Sequence, residues 1–192
     1  APEISQLFGE ILGLYIYDLW SKYIKCSFNI IELGPGKGTL ISDILQINKS
    51  FELFNSSMFL NLIEINKELI NLQKRILIKN DLNINKITWN NSFNSIKNRP
   101  SIIFANEFFD CFAIKQYIKI NKRWNEKKVN YRKKDDIFYI NNTIINDKSL
   151  SIKLDKYATI NKYKENSLIE FSQSQKKYFN KIFKFVKKNS GV

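Results

Sequence analysis

From residue 4 to residue 20 the large apolar side chains fall at Ile4, Leu7, Phe8, Ile11, Leu12, Tyr15, Ile16, Leu19 and Trp20. That i, i+3, i+4, i+7 rhythm predicts a helix with a wide buried face, and Pro2 suits its first turn. The pattern then changes. Residues 28–33 form a short apolar run that reads as a buried strand, 34–38 as a turn, 39–47 as a helix, 58–63 as a second strand and 66–78 as a second helix. Residues 51–57 read as a loop extension, and 86–89 and 101–105 supply two more short strands. Strand, helix, strand at this spacing predicts βαβ units and hence a parallel sheet with helices on both faces.

After Asp110 the texture differs. Residues 116–120 and 124–129 flank a short polar turn, and 137–140 face 143–145 across Asn141 and Asn142. Both read as antiparallel hairpins, so 116–146 is expected to be a β-hairpin insertion or edge addition. Residues 149–166 are polar and weakly patterned, expected to be loop with some helix, and 168–171 read as strand. Residues 173–188 predict a basic amphipathic helix whose apolar side, Phe179, Ile182, Phe183 and Val186, packs on the sheet. With no repeat and no low-complexity linker, residues 1–192 are read as a single α/β domain with a Rossmann-like sheet.

Composition narrows the function classes. At 192 residues and 44% hydrophobic, with 14% aromatic, the chain can bury a sizeable core, which excludes disorder for its bulk. The net charge of +13 points toward nucleic acid or an anionic surface, but only four of the 31 basic residues are arginine (Arg75, Arg99, Arg123, Arg132). Phosphate-reading surfaces favour the bidentate arginine fork, so nucleic acid is not the expected partner. Histidine is absent, which excludes within these residues a Ser-His-Asp triad, a His-ligated zinc and an imidazole base; no metal is expected. Cys26 and Cys111 lack paired spacing and read as reduced thiols. No apolar run approaches the roughly 18 residues of a membrane span. The chain begins at Ala1 without a signal-like lead, and its native start is expected to lie outside this sequence.

The segment IIELGPGKGTL, residues 30–40, carries the chemistry. A buried strand ends at Leu33, and Gly34, Gly36 and Gly38 follow at alternate positions before a helix opens. Glycines there let the backbone turn sharply and let a ligand approach main-chain amides. A dinucleotide fold shows G-x-G-x-x-G; this chain shows E-x-G-x-G-x-G, the pattern associated with S-adenosylmethionine, and no lysine-serine pair makes it a P-loop. A bare strand-to-helix turn is the alternative. Next, 60–63 is an apolar strand ending in Glu64, placing a carboxylate where a ribose would present two hydroxyls. Glu64 read otherwise is a solvated carboxylate at a helix start. Third, ANEFFD, residues 105–110, delivers Asn106, Glu107 and Asp110 after a strand, where they could hold a cationic nucleophile; a plain helix N-terminus is the alternative.

Three stretches, APEISQLFGE, IELGPGKGTLISDIL and ANEFFDCFAIKQY, with a WNEKKV-like hairpin and SLIEFSQ, together resemble the MidA-type methyltransferases over nearly the whole chain. That group includes a mitochondrial complex I assembly factor. The resemblance implies an S-adenosylmethionine-dependent fold and, for mitochondrial members, symmetric dimethylation of an arginine in a complex I core subunit. It implies Glu32, Gly34, Gly36 and Gly38 at the methionine end of the cofactor, Glu64 at the ribose, and Trp89 and Asn90 near the adenine. Glu3, Ser5 and Gln6 would wall the site, and Asn106, Glu107 and Asp110 would face a protein substrate. Lys37 stands where the family has arginine, and Cys111, Phe112 and Ala113 where it has Ala-Leu-Pro. The family runs on beyond Val192, so the chain is expected to be part of a longer protein. A homodimer is a further expectation, as is a cytoplasmic location in a bacterium or a mitochondrial matrix location otherwise. A non-catalytic assembly module and an RNA methyltransferase are the competing readings.

Overall fold

The computed structural model describes residues 5–80 and 82–189; Pro2, Glu3 and Ile4 lie outside the described residues. Backbone contacts divide the chain into two compact units, one made of the residues through Cys111 together with those from Tyr178 on, the other of Phe112–Lys177.

In the first unit, strand β1 (Phe28–Leu33) is buried at every position, as a strand covered on both faces must be. It pairs in parallel with β2 (Met58–Ile63) and β4 (Ser101–Phe104), and β3 (Ile87–Asn90) extends the sheet beyond β2, giving the order β3-β2-β1-β4. Alternate residues of β1 feed two cores. Phe28 and Ile30 join Leu60, Leu62 and Leu77 and the residues Leu40, Ile41 and Ile44 of α2 (Thr39–Asn48). Ile31 and Leu33 join Ile63, Phe93, Ile96 and Phe185 on the other face. The parallel α/β sheet with helices on both faces is therefore as the hydrophobic pattern predicts. The second helix begins one residue later than expected, because the Asn66 side chain accepts from the Glu68 and Leu69 amides and caps α4 (Lys67–Lys79). Residues 51–57 are not simply loop: Glu52–Ser57 form the short helix α3, anchored by the fully buried Phe54.

Two predicted helix faces differ from those observed. Helix α1 (Gln6–Leu19) runs on into a π-helical turn, Trp20–Ile24, but it packs on α2 through Gly9, Gly13 and Ile16, while Leu7, Ile11 and Tyr15 are exposed. A side chain at Gly9 would strike Asp43 and one at Gly13 would come within 2.6 Å of Ile47, so close backbone approach decides the orientation rather than side-chain bulk. Because Gly9 faces Asp43 and Gly13 faces Ile47, the two helices run parallel. The amino end of α1 thus lies at the same end of the sheet as the start of α2. In α6 (Gln173–Asn189), the residues buried against the sheet are Phe185 with Tyr178 and Ile182, whereas Phe183 is 68% exposed and Phe179 stacks on Phe109. The packed stripe is rotated by about one residue from the predicted one.

The second unit is an antiparallel sheet of order β7-β6-β5-β8 around Tyr117, Trp124, Leu154 and Ile169. Strands β5 (Lys115–Ile120) and β6 (Arg123–Arg132) are joined by Asn121 and Lys122, both at positive φ, the two-residue turn that matches strand twist. The second predicted hairpin is a single strand, β7 (Ile137–Ile144), whose whole length pairs with β6. Residues 149–166 are mostly the helix α5 (Lys148–Ile160), capped by Asp147, and β8 (Leu168–Phe171) returns to pair with β5. Among the described residues no helix is long and apolar enough to cross a membrane.

Candidate active site

The site is built from the carboxyl ends of β1, β2, β3 and β4. Past Leu33 the Gly34 amide still donates to the Ile63 carbonyl at 3.0 Å, and the chain then leaves the sheet with φ of +60° at Gly34, +55° at Gly36 and +86° at Gly38. The Gly38 amide closes the turn on the Pro35 carbonyl at 2.8 Å, and Gly38 begins α2. Two of these positions need glycine for different reasons. A Cβ on Gly34 would lie 2.6 Å from the Phe108 ring, so this glycine lets the NEFFD segment pack against the turn; a Cβ on Gly36 would meet nothing within 4 Å. Gly36 therefore borders open space. Gly34→Ala is expected to lower the melting temperature by roughly 5–10 °C, from backbone strain of about 1–2 kcal/mol plus displacement of Phe108. An unchanged thermal melt would show that Phe108 yields without cost.

Glu32 sits two residues before Gly34, on the strand face of Phe28 and Ile30. It is 2% exposed, and its Oε2 has no hydrogen-bond partner among the described residues. Burial pushes its carboxyl up to about 8. A buried carboxyl oxygen without a partner is short of a donor or a cation.

At the end of β2 the Glu64 amide donates to the Asn90 carbonyl, tying β2 to β3. Its Oε1 accepts from the Ile65 and Asn66 amides at 2.8 and 2.9 Å, and Oε2 makes no hydrogen bond to a described residue. The carboxylate is thus oriented by its own turn with one oxygen to spare. Trp89 and Asn90 close β3. The Asn90 side chain is buried in a polar row that crosses the sheet from Ser95 through Asn90, Asn61 and Asn29 to Ser101. Trp89 is half-buried and donates from Nε1 to Gln73 Oε1 at 2.8 Å. Gln73, whose Nε2 reaches the Gly36 carbonyl at 2.8 Å, was not singled out from the sequence, although an amide at the middle of the stripe Leu69, Gln73, Leu77 is the signal that could have found it.

Beyond β4 the NEFFD segment turns as a short 3-10 helix, Phe108–Cys111. Glu107 adopts a left-handed φ of +55°, a conformation a glutamate rarely takes. Asn106 is half-buried, and Glu107 and Asp110 are exposed. These three follow the register pair Glu32–Phe104, and Phe108 packs over Gly34, so the segment is pinned beside the glycine turn. Ser5 and Gln6 lie exposed at the amino end of α1, with Gln6 donating to Glu10 at 2.8 Å, while Glu3 falls outside the described residues.

A parallel sheet with a glycine turn after its first strand and acidic residues at the ends of its second and fourth defines a nucleotide-type ligand fold. A family model for S-adenosyl-L-methionine-dependent methyltransferases matches residues 11–192, and the chain belongs to this MidA-type family. It is 30% identical over 146 residues to the mitochondrial protein arginine methyltransferase NDUFAF7 of Bos taurus, covering 66% of this chain and 33% of that protein. The Caenorhabditis elegans homologue is 31% identical over 156 residues, covering 73% and 36%. The chain thus spans about a third of the length of these relatives. A Burkholderia thailandensis protein crystallised with S-adenosyl-homocysteine shares the fold with a TM-score of 0.63 at 18% identity, over 80% of this chain and 38% of that one. A second crystal structure of a protein from the same organism gives 0.70 at 16% identity, over 95% and 46%.

Proposed function

We propose that the protein containing this chain is an S-adenosylmethionine-dependent methyltransferase acting on arginine in a protein substrate, with a respiratory complex I subunit as its target. The observation that carries the reading is the open space at Gly36, taken together with the buried Glu32 carboxyl whose Oε2 has no partner among the described residues. A cradle that a Cβ would fill and a carboxyl lacking a cation fit the amino-acid end of the cofactor, whose ammonium and sulfonium are positive. When bound, the cofactor supplies an electrophilic methyl group.

This chain's residues then have separable tasks. The glycine turn offers main-chain amides to the cofactor's carboxylate; Glu32 faces its cationic part, and Glu64 accepts from ribose hydroxyls through Oε2. Trp89 borders the base. Asn106, Glu107 and Asp110 hold a guanidinium by charge and hydrogen bonds, turn its nitrogen toward the methyl group and take up the proton released as the new N–C bond forms. The left-handed Glu107 supports this role, because strained backbone persists where function requires it. Ser5 and Gln6, exposed at the amino end of α1, are assigned to the substrate-side wall. The naming of relatives as mitochondrial proteins favours a mitochondrial location over a bacterial cytoplasm.

Glu64→Gln keeps an oxygen for the Ile65 and Asn66 amides and replaces the spare acceptor with a donor. Calorimetry should show S-adenosylmethionine affinity about tenfold lower with an unchanged melt, since hydrogen bonds to a charged group are worth about 1.5–3 kcal/mol. Equal affinity would remove Glu64 from the ribose. The proposal as a whole is tested by mass spectrometry of arginine methylation in complex I subunits of the parent organism with and without this protein. Unaltered methylation there would reject the target; failure of the intact protein to bind the cofactor would reject the activity.

A further inference from the structure

Helix α4 carries a polar side chain where its apolar stripe meets the sheet. Gln73 is fully buried, between the apolar positions Leu69 and Leu77, and its amide is used at both ends. Oε1 accepts from Trp89 Nε1 and Nε2 donates to the Gly36 carbonyl, each at 2.8 Å. Neither bond is local, spanning 16 and 37 residues of sequence. The Lys74 ammonium lies 5.1 Å from the centre of the Trp89 ring, holding the ring from a second direction. The stem of Gln73 also fits the turn: its Cγ would lie 3.1 Å from a Cβ placed on Gly38.

A buried primary amide costs several kcal/mol to desolvate unless it is paired, so an apolar residue would serve this position better if only packing mattered. The pairing has a directional consequence. Because the peptide unit is planar and trans, fixing the Gly36 carbonyl toward α4 turns the Lys37 N–H the opposite way, away from Gln73. One side chain therefore sets both the orientation of an amide in the glycine turn and the position of the indole at the end of β3.

We propose that Gln73 is a positioning residue that locks the glycine turn to Trp89, so that the amino-acid end and the base end of the cofactor site are held in register. This rests on the cofactor reading given above, and it assigns Gln73 no contact with the cofactor itself.

The test is a double-mutant cycle on the intact protein, using S-adenosyl-homocysteine as the probe in calorimetry, with thermal melts and hydrogen exchange of the ligand-free turn alongside. Gln73→Met, which preserves length and apolar packing, and Gln73→Glu, which as a carboxylate can still accept from Trp89 but cannot donate to Gly36, are each expected to weaken binding about tenfold, the latter measured at a pH high enough to ionise the buried acid. Trp89→Phe should weaken it as well. The effects of Gln73→Met and Trp89→Phe should be less than additive in the double variant, because the bond between the two side chains is already broken in either single variant. In the ligand-free protein, exchange of the Gly38 amide, bonded to Pro35, should rise in Gln73→Met. A side chain that merely packs would shift the melt and leave affinity and Gly38 exchange alone. Affinity within twofold of wild type, additive single effects, or unchanged Gly38 protection would overturn the proposal. Should Gln73→Met not fold, Gln73→Glu and Trp89→Phe carry the same comparison. Wild-type protein that binds no S-adenosyl-homocysteine would count against the cofactor reading, while Gly38 exchange would still decide whether Gln73 locks the turn.

Discussion

A Gly36→Val variant is expected to fold and to lose S-adenosylmethionine binding by a hundredfold or more. The two halves of this expectation rest on one geometric fact. At Gly36 a Cβ would meet no atom within 4 Å, so the fold loses only what it costs to hold a branched residue at φ +55°, about 1–3 kcal/mol. The same emptiness is what the cofactor is proposed to occupy, and two methyl groups there exclude it sterically. Gly36→Ala carries much of the strain with less bulk and is expected to fall between Val and wild type. Calorimetry and a thermal melt on the same samples separate binding from folding. A folded Gly36→Val protein that binds as wild type does would remove the glycine turn from the cofactor site. The contrast with Gly34, whose substitution disturbs Phe108, makes the pair diagnostic: one glycine serves packing, the other vacancy.

Glu32→Gln should alter the pH dependence of stability more than any other single change. Burial raises the carboxyl from 4.5 to about 8 in the folded chain. Between those values the folded state retains a proton that the unfolded state has released. Stability therefore falls as pH rises through this window, and the cost is complete above it. Glutamine cannot ionise. Its variant is expected to match wild type near pH 5 and to melt about 10 °C higher at pH 8, corresponding to roughly 3 kcal/mol. Because Glu32 is proposed to face the cofactor's cationic end, a fixed concentration of S-adenosylmethionine should raise the wild-type melt at pH 8 by more than it raises that of Glu32→Gln. Melting curves for the two proteins that run parallel from pH 5 to pH 8 would show that Glu32 is not buried as an isolated acid.

The strands of the first unit, the helices α2 and α4, the glycine turn and the acidic residues at strand ends are legible along the chain, whereas the short helix α3 reads as loop. Each depends on a local pattern: apolar runs of strand length, helical periodicity, alternate glycines. The second unit is less legible. Asn141 and Asn142 have turn chemistry, yet β6 offers pairing from Asn125 with Ile144 to Arg132 with Ile137, and that ladder outweighs local preference. The reversal falls instead at 133–136, where Asp136 takes a positive φ.

By itself the sequence determined that the chain builds a parallel sheet with a glycine turn after its first strand, because periodicity and glycine spacing are properties of consecutive residues. Only the tertiary structure decided which buried polar groups are already satisfied and which are not. Asn90 is consumed by the row of side chains crossing the sheet, Gln73 joins Gly36 to Trp89, and Glu32 is left without a partner among the described residues. Those assignments depend on partners 16 to 37 residues away, and no local pattern encodes which distant donor will meet which acceptor.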